Sequence, residues 1–428
     1  MRKLACILLI ALFAATEAHS QTMTLIDSVN WVNSGYPAAC QMGDTEFYVA
    51  SHKSTTSMYL TVTELDQTDG SWVQVTDDVL VGVWGSNTSD IIQLGTSAYY
   101  AVFYTNVDDY GIVKTYELDE SDGTITAFVD SMYFCVTDYI GAPSVVRVSG
   151  DVYLVTYNHG GSGDEPTGDC WVMSLTLDDA DGSCDGTIDS LEVDNRNYSR
   201  WPDTIYIGSD WCLTASDHYE DNLFSYQVTS GGVIDNAVTD NEDYTNDNSA
   251  HSQPQLENLG TNYFAWCSSW LPDATDDITI KSGSVNTTTG DISAAIDNLL
   301  ITTSGFQPDM AWIGEKWMVL AYMSDDGSDD GFVATIDVSS TGVIGAALED
   351  EMEYEQTLGR FPFPLALGDL PAFGIWYHQT LSDVKSFGIT GTGLSFESAG
   401  WGHLSNGITP ASVNGLAKAS IGSINGLE

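Results

Sequence analysis

The stretch PDMAWIGEKWMVLAYMSDDGSDDGFVATIDVSSTG, residues 308–342, decides the fold. It opens with Pro308 and an alternating strand, turns at Gly314, and continues as an aromatic-rich apolar strand from Trp317 to Tyr322. A polar acidic loop follows, then a third strand and a turn at Thr341-Gly342 into a fourth strand. Short strands joined by Gly and Asp-Gly turns, without helical spacing of apolar residues, predict a four-stranded antiparallel sheet.

The same pattern recurs along the chain about every fifty residues. Six units open with a proline, and the gaps from Pro143 onward are 59, 52, 54 and 54 residues. Pro37 precedes Pro143 by 106 residues, which leaves room for a unit that opens at Ser89. The turn and its apolar strand recur in seven segments: 43–50, 95–104, 150–157, 208–215, 260–266, 314–322 and 368–377. This repetition predicts an all-β fold, a seven-bladed β-propeller of four-stranded antiparallel blades.

The N-terminal strand is predicted to close the last blade. Fourth strands carry a β-branched residue, Asp, and Ser or Asn, as in the tripeptides Val129-Asp130-Ser131, Ile188-Asp189-Ser190, Ile234-Asp235-Asn236 and Ile296-Asp297-Asn298. Ile26-Asp27-Ser28 carries the same pattern before the first complete unit. We therefore expect Thr24 to Val32 to be the outer strand of the seventh blade, which leaves fewer unpaired sheet edges.

The two ends of the chain differ from the repeats. Arg2 and Lys3 precede an apolar run from Leu4 to Ala14, and small residues follow at Ala18-His19-Ser20. This is the pattern of an export signal, and the alternative is a membrane anchor. We expect a signal peptide at 1–20, a propeller at 21–397 and a separate tail at 398–428. The protein is then secreted, or lies on the surface of a cell or virion.

The charge of the chain limits its partners. Lys and Arg total 12 against 61 Asp and Glu, which gives a net charge of −49. Such a surface repels nucleic acid and anionic lipid, so both are unfavourable partners. A glycan or another surface protein remains open, as does self-assembly through the tail or the N-terminal strand.

The tail and the blades each resemble known repeats. Ser412-Val413-Asn414-Gly415-Leu416 recurs eleven residues later as Ser423-Ile424-Asn425-Gly426-Leu427. This resembles the short Asn-Gly repeats near the ends of phage virion surface proteins. The blades resemble propeller repeats of secreted proteins from marine microbes and viruses. They lack the Trp-Asp ends of WD40 blades and the paired glycines of kelch repeats. The resemblance implies a surface, filament or virion component.

Histidines gather where second strands end. These positions are expected on the face that carries the long polar loops, where a propeller holds its site. There they could bind a metal or act as general acid and base, or merely fill polar strand exits. The residues with this placement are His52, His159, His218 and His378.

Aromatic and amide residues precede the opening prolines, at Tyr36, Trp201, Gln253, Gln307 and Phe361. Arg200 and Arg360 stand one position earlier in two units. Arg beside aromatic faces and amides suits a sugar or carboxylate pocket. The alternative is local pairing of the arginines and capping of the core by the aromatics.

Two further sites are predicted. Clustered carboxylates at Asp325, Asp326 and Asp329 could hold Ca²⁺, although no loop matches an EF-hand and such runs are often simply solvated. Cys170 and Cys184 lie close in one repeat and could form a disulfide in an exported chain, and buried thiols are the alternative.

The recurring residues describe a scaffold, and no nucleophile motif occurs. The sequence therefore favours a non-catalytic extracellular binding or structural propeller, with glycans as candidate ligands. The alternative is a lyase or glycosidase acting on acidic polysaccharide. In that enzyme His159, His218, Tyr36 and Arg200 would form a tight cluster at the channel mouth.

Overall fold

A computed structural model of the chain describes residues 21–30, 35–54, 56–136, 140–160, 168–217, 222–235, 237–243, 251–270, 277–313, 316–324, 329–368, 372–378 and 383–391. The predicted signal peptide, 1–20, and the predicted tail repeats lie outside these residues. The described part of the chain is built of strands and turns, and it contains no helix that could cross a membrane.

The strands form seven four-stranded antiparallel blades in a ring, so the fold prediction is confirmed. Blades 1 to 4 are built, in order, from β2 (Gly35–Gln41), β3 (Phe47–Ser54), β4 (Ser57–Leu65), β5 (Trp72–Gln93), β6 (Tyr99–Asn106), β7 (Gly111–Asp119), β8 (Thr124–Cys135), β9 (Ile140–Ser149), β10 (Val152–His159), β11 (Gly168–Leu177), β12 (Cys184–Gly208), β13 (Trp211–Asp217), β14 (Asn222–Gln227) and β15 (Asp240–Asp243). The long strands β5 and β12 each run from the outer edge of one blade into the inner strand of the next.

Blades 5 to 7 are separate sheets. Their strands are β16 (His251–Gly260), β17 (Tyr263–Trp270), β18 (Asp277–Ser284), β19 (Asp297–Thr302), β20 (Gly305–Trp312), β21 (Trp317–Ser324), β22 (Gly331–Val338), β23 (Ile344–Glu355), β24 (Arg360–Ala366), β25 (Ala372–His378) and β26 (Asp383–Gly391). The seventh blade is completed by β1 (Gln21–Asn30), which pairs with β26. This is the predicted closure, and it leaves β1 paired within its own chain.

Each outer strand is bound to the next blade through one aspartate. One carboxylate oxygen accepts the N–H of the residue that follows it, and the other accepts a backbone N–H of the next blade. The seven inter-blade bonds are 2.6–3.1 Å long and run from Asp27 to Trp72, Asp77 to Ile125, Asp130 to Cys184, Asp189 to Ile234, Asp240 to Ile292, Asp297 to Ile344 and Asp350 to Met23. The series is a closed ring, which we call the aspartate ring.

The aspartate ring explains the predicted tripeptides and corrects one of them. Asp27, Asp130, Asp189 and Asp297 of the predicted tripeptides are ring members. In blade 4 the member is Asp240, not Asp235. Ile234, which precedes Asp235, donates its N–H to Asp189 of blade 3. The tripeptide that begins at Ile234 therefore lies before the position of the ring aspartate in blade 4.

Hydroxyls opposite the ring add a second set of links between blades. Thr115, Ser174 and Ser225 donate to the carbonyl of a turn glycine in the next blade, at 2.5–2.6 Å. The acceptor for Ser225 is Gly290, whose φ of +80° suits a residue without a side chain. A Cβ there would lie 2.1 Å from the ring of Trp211. The turn glycines are therefore required by the packing of the blades as well as by the turn itself.

Aromatic rings pack between blades 7 and 1, where the first and last parts of the propeller meet. Trp376 of blade 7 and Tyr48 of blade 1 are fully buried there. The ring of Trp72 stands edge-on to both, with centroids 5.5 Å from Trp376 and 5.8 Å from Tyr48. Edge-to-face packing of this kind adds to the area that each ring removes from water.

We expect Asp240→Asn to lower the free energy of unfolding by about 1–3 kcal/mol, because one buried backbone N–H would face an amide NH₂ instead of an acceptor. Asp235→Asn is the matched control, since it removes the same charge from an exposed residue outside the ring, and should change stability by less than about 0.5 kcal/mol. Urea unfolding of both variants tests this. Equal effects would remove the ring from the account of stability.

Candidate functional site

Every inner strand begins at the same face of the propeller with a bulge. The register against the second strand shifts at the opening proline, for example between Arg200 and Asp203 and between Phe306 and Asp309. Proline has no N–H for the ladder and disfavours the helical conformation in the residue before it, so a bulge relieves the mismatch. First strands of neighbouring blades contact one another around the axis, so these bulges surround the mouth of the central channel.

The residue before the proline adopts a left-handed backbone in four blades. The φ values are +44° at Ala142, +39° at Trp201, +54° at Gln307 and +48° at Phe361. Such a conformation costs on the order of 1–3 kcal/mol for a non-glycine residue, and it concentrates at ligand-binding positions. Three of these residues were predicted as binding residues, and Trp201 and Phe361 are only half-buried. The structure therefore brings them to one rim.

The remaining predicted crossover residues are described only in part. Tyr36, Arg200 and Gln253 lie in β2, β12 and β16, but their side chains are outside the described residues. Gln307 is buried, and its Oε1 accepts the N–H of Phe361 at 3.2 Å, which joins the rims of blades 6 and 7.

Arg360 is occupied by an acidic partner in its own chain. Its guanidinium donates to the carboxylate of Asp329, and the backbone of Asp329 accepts the N–H of Gly359 at 2.8 Å. Local pairing was the alternative foreseen for the arginines, and for Arg360 it is what the structure has. Asp329 is also one of the three carboxylates of the predicted calcium site, and it is already paired with Arg360. The other two, Asp325 and Asp326, lie outside the described residues.

The histidines do not occupy equivalent positions. In blades 1, 3 and 7 the residue after the opening proline pairs with a residue of the second strand. These equivalent second-strand residues are Ser51, Thr156 and Trp376. His52, His159 and His378 therefore follow that position by one, three and two residues. Because alternate residues of a strand point to opposite faces, they cannot form one ring of like side chains. His218 and the side chain of His378 are outside the described residues.

His52 is a buried structural residue. It is 1% exposed, its Nε2 lies 2.7 Å from Thr61 Oγ1, and Thr61 donates in turn to Asp78 at 2.9 Å. Burial lowers the pKa of His52 to about 3, so the ring is neutral at ordinary pH. A ring this inaccessible cannot serve the rim, where the sequence had suggested it.

His159 keeps some contact with solvent. It ends β10 opposite Asp169, and its ring lies 5.7 Å from that of Trp171. Glu192 stands opposite Trp171 in the next strand, and its pKa is raised by loss of solvent and by nearby Asp169. This group lies within blade 3, while Tyr36 and Arg200 begin the inner strands of blades 1 and 4.

Four carboxylates around the axis escaped the sequence analysis. Asp90, Asp203 and Asp309 directly follow the residue that opens their units, and Glu257 lies near the start of the inner strand in blade 5. We call these four residues the channel belt. The sequence does show an Asp directly after Pro202 and after Pro308. That these carboxylates lie near one another follows only from the convergence of the inner strands at the axis.

The belt carboxylates disfavour ionisation. Burial, and then repulsion among members of the belt, raises the pKa of Glu257 to about 8 and that of Asp309 well above its usual range. Burial likewise raises the pKa of Asp90 to about 7, in spite of two bonds from backbone N–H groups. All four keep some solvent access, as expected for residues that face a channel rather than a packed core.

The predicted disulfide is not formed. Cys170 lies opposite Asp194, whereas Cys184 lies opposite Leu177 at the far end of β11. Both thiols are free. Residues at opposite ends of a strand are too distant for a disulfide, whose Cα atoms lie within about 7 Å.

A second acidic group lies on the opposite face of blade 3. Asp151, Asp178 and Asp179 have carboxylate oxygens within 4.8 Å of one another. Arg147 lies 3.1 Å from Asp179 and neutralises part of this charge.

Comparison with known proteins supports the fold and leaves the site open. No protein-family model and no curated protein matches the chain. Among solved structures, a periplasmic gluconolactonase of Pseudomonas aeruginosa is similar over 84% of this chain and 99% of its own, with TM-score 0.52 and 13% identity. A lectin from Burkholderia pseudomallei is similar over 81% and 93%, with TM-score 0.51 and 10% identity.

A chain in a mitotic checkpoint complex is similar over 85% of this chain and 94% of its own, with TM-score 0.50 and 11% identity. An enzyme, a lectin and a member of a protein complex thus share this architecture. At such low identity the likeness establishes the fold alone, because one fold carries many functions.

The channel belt predicts a dependence of stability on pH. Carboxyl groups with raised pKa bind protons more tightly in the folded chain than in the unfolded chain, whose values lie near 4. Their contribution to stability is therefore undiminished below about pH 4 and is lost as the pH rises towards 8. Thermal unfolding between pH 5 and pH 8 measures the loss.

Asp309→Asn isolates this effect. Asn can keep the single bond that Asp309 accepts, from Met310 N–H at 2.7 Å. We expect the stability of the variant relative to the unaltered chain to be greater at pH 8 than at pH 5, because the raised pKa of Asp309 costs the unaltered chain stability as the pH rises. Asp203→Asn is the contrasting variant. Asp203 accepts hydrogen bonds from Leu256, Thr204 and Ser144, so this substitution should lower the stability of the folded chain. A loss of stability in Asp309→Asn at pH 8 would contradict the assignment.

Proposed function

We propose that the protein is a non-catalytic binding propeller that is exported and acts outside the cell or on a virion surface, where it binds glycans at the channel mouth. The observation that carries this is the strained backbone of Trp201, Gln307 and Phe361. Aromatic and amide side chains held at one rim offer a stacking face and hydrogen bonds, the two contacts that a sugar ring needs.

The charge of the rim favours a neutral glycan over a uronate. The guanidinium of Arg360 is already paired with Asp329. The whole chain carries a net charge of −49. An anionic sugar would therefore meet repulsion at the mouth.

We expect Trp201→Ala and Phe361→Ala each to weaken glycan binding by tenfold or more, since truncating a stacking aromatic residue costs about 1–3 kcal/mol. Alanine is tolerated in this conformation, because Ala142 occupies the equivalent place in blade 3 with φ +44°. Phe128→Ala, at an exposed ring on β8, is the control. A glycan array followed by titration calorimetry measures the effect, and an array without hits would refute the proposal.

The enzyme alternative rests on His159, which keeps solvent access beside Trp171. A uronate-release assay on acidic polysaccharides, with and without EDTA, separates the two functions. Turnover that is abolished by His159→Ala would replace the binding proposal with a lyase. Binding without turnover would eliminate the lyase.

Assembly through the tail is a further part of the proposal. Strand β1 is paired with β26 within the same chain, so self-assembly through the N-terminal strand would require that pairing to open. The tail from 398 onward is the remaining segment for attachment to a neighbour. Light scattering of a chain truncated at 397 tests this role, and an unchanged particle size would exclude it.

A further inference from the structure

One hydroxyl in the series that links neighbouring blades has no acceptor. In blades 2 to 5 the residue opposite the ring aspartate donates to the carbonyl of the turn glycine in the next blade, as Thr115 does to Gly182 and Ser174 to Gly232, both at 2.5 Å. In blade 6 the residue opposite the ring aspartate is Thr335. Its side chain is fully buried, and its hydroxyl has no hydrogen-bond partner in the described part of the chain.

The side chain of Thr335 faces blade 7. Val333, two residues earlier in β22, belongs to one buried cluster with Phe373 and Phe387 of blade 7. Because alternate residues of a strand share a face, Thr335 points to the same blade. A buried donor without an acceptor lowers stability, and such groups are rare in folded proteins. The position therefore calls for a carbonyl from blade 7.

Blade 7 takes its third and fourth strands from opposite ends of the chain. The third strand is β26, and the fourth is β1, which begins with Gln21 opposite Gly391. Met23 donates its N–H to the ring aspartate of blade 6, and in the other blades this donor lies two residues after the turn glycine. Gln21 thus stands where the other blades have the turn glycine, but it continues the strand, and Thr335 remains without a bond.

The sequence after β26 has the spacing of a blade turn. Ser386 lies opposite the ring aspartate Asp27, and Gly393 follows it after seven residues. In two other blades the turn glycine follows the equivalent residue at the same spacing. These pairs are Ser225 with Gly232 and Thr335 with Gly342.

The other residues of the turn match as well. The turn is Thr229-Ser230-Gly231-Gly232-Val233 in blade 4 and Ser339-Ser340-Thr341-Gly342-Val343 in blade 6. The hydroxyl of the first residue accepts the N–H of the fifth, at 3.1 Å in blade 4 and 2.9 Å in blade 6. Thr390-Gly391-Thr392-Gly393-Leu394 has the hydroxyl residue, the glycine and the apolar residue at the same places, although 392–394 lie outside the described residues.

We propose that the chain from Thr390 to Leu394 folds as the turn of blade 7 and that the carbonyl of Gly393 accepts the hydroxyl of Thr335. The partner of this surface on blade 6 is therefore the first part of the chain's own tail. The turn takes the place of Gln21 and Thr22, the first two residues of β1, which give up their pairing with β26. Met23 keeps its bond to the aspartate ring.

The tail cannot replace the rest of β1. In the other blades the ring aspartate follows the turn glycine after seven or eight residues, as Asp297 follows Gly290 and Asp350 follows Gly342. The residues at those distances from Gly393 are Gly400 and Trp401, which have no carboxylate. Only β1 brings the aspartate, so the chain must leave the blade after the turn.

This exit decides on which side of the propeller the tail lies. Strand β12 runs from a turn of this kind at Gly182 to the rim at Trp201, so these turns lie on the face opposite the rim. A tail that leaves there attaches the propeller with its candidate glycan rim facing away from the attachment. This last consequence rests on the proposed function, whereas the docking of Gly393 does not.

A double-mutant cycle on the full chain tests the proposal, with the urea midpoint of unfolding as the measurement. Thr335→Val removes the donor at nearly constant shape, and Gly393→Val replaces a glycine whose equivalents have φ of +71° to +82°. We expect each to lower the midpoint, Thr335→Val by as much as Thr115→Val does. The double variant should fall no further than the larger single effect.

Two matched variants control for nonspecific effects. Thr335→Ser keeps the hydroxyl, and serine already serves at the equivalent places Ser174 and Ser225, so its midpoint should stay close to that of the unaltered chain. Gly402→Val changes a glycine elsewhere in the tail and should have no effect.

Hydrogen exchange of the full chain locates the docked segment directly. Peptides that cover 392–396 should exchange more slowly than peptides that cover 400–428, and Thr335→Val should remove this difference. Fast exchange at 392–396 in the unaltered chain would overturn the proposal. So would additive effects in the double variant, or a midpoint that rises in Thr335→Val, since removing an unpartnered buried hydroxyl stabilises a fold.

These measurements involve no glycan. A failed docking therefore leaves the binding proposal standing, and a glycan array without hits leaves the docking of Gly393 standing.

Discussion

The bond between an aspartate of one blade and the backbone of the next is the interaction on which the whole ring depends. A blade buries both faces against its neighbours, but apolar faces alone do not fix how far one blade slides along another. The carboxylate of Asp130, for example, bonds Ser131 and Cys184 together and so fixes that register. Seven such bonds close on themselves, from Asp350 to Met23 and from Asp27 to Trp72. The N-terminal strand is thereby tied to both of its neighbours.

The same chemistry has a different result near the axis. Asp90 and Asp203 link neighbouring blades as the outer aspartates do, but their inner strands converge and bring the carboxylates together. The repulsion that follows is a cost of the ring's geometry. Pro364 then breaks the series in one blade and leaves Asp309 with spare bonding capacity. A difference of one residue between blades thus decides whether a carboxylate near the axis links two blades.

The rim above the belt combines strain with exposure. Six of the seven inner strands open with a proline at a bulge, and in four blades the residue before that proline adopts a left-handed backbone. In blade 3 that residue is Ala142, which has little to offer a ligand. In blades 4 and 7 it is Trp201 and Phe361. The scaffold therefore presents one position per blade that can vary without disturbing the sheets, which is the usual way a propeller acquires a site.

The sequence by itself determined the number of blades, their strand order and the closure by residues near Asp27, because turn chemistry and alternation are local and repeat with the chain. It also identified Trp201, Gln307 and Phe361 as rim residues, since each stands directly before a proline. Only the tertiary structure decided that Asp240 rather than Asp235 joins the ring, that His52 is buried, and that Asp329 occupies Arg360. It alone brought together the channel belt, whose members come from four blades. These are contacts between segments far apart in the chain, and they depend on the register of neighbouring blades and on the closure of the ring.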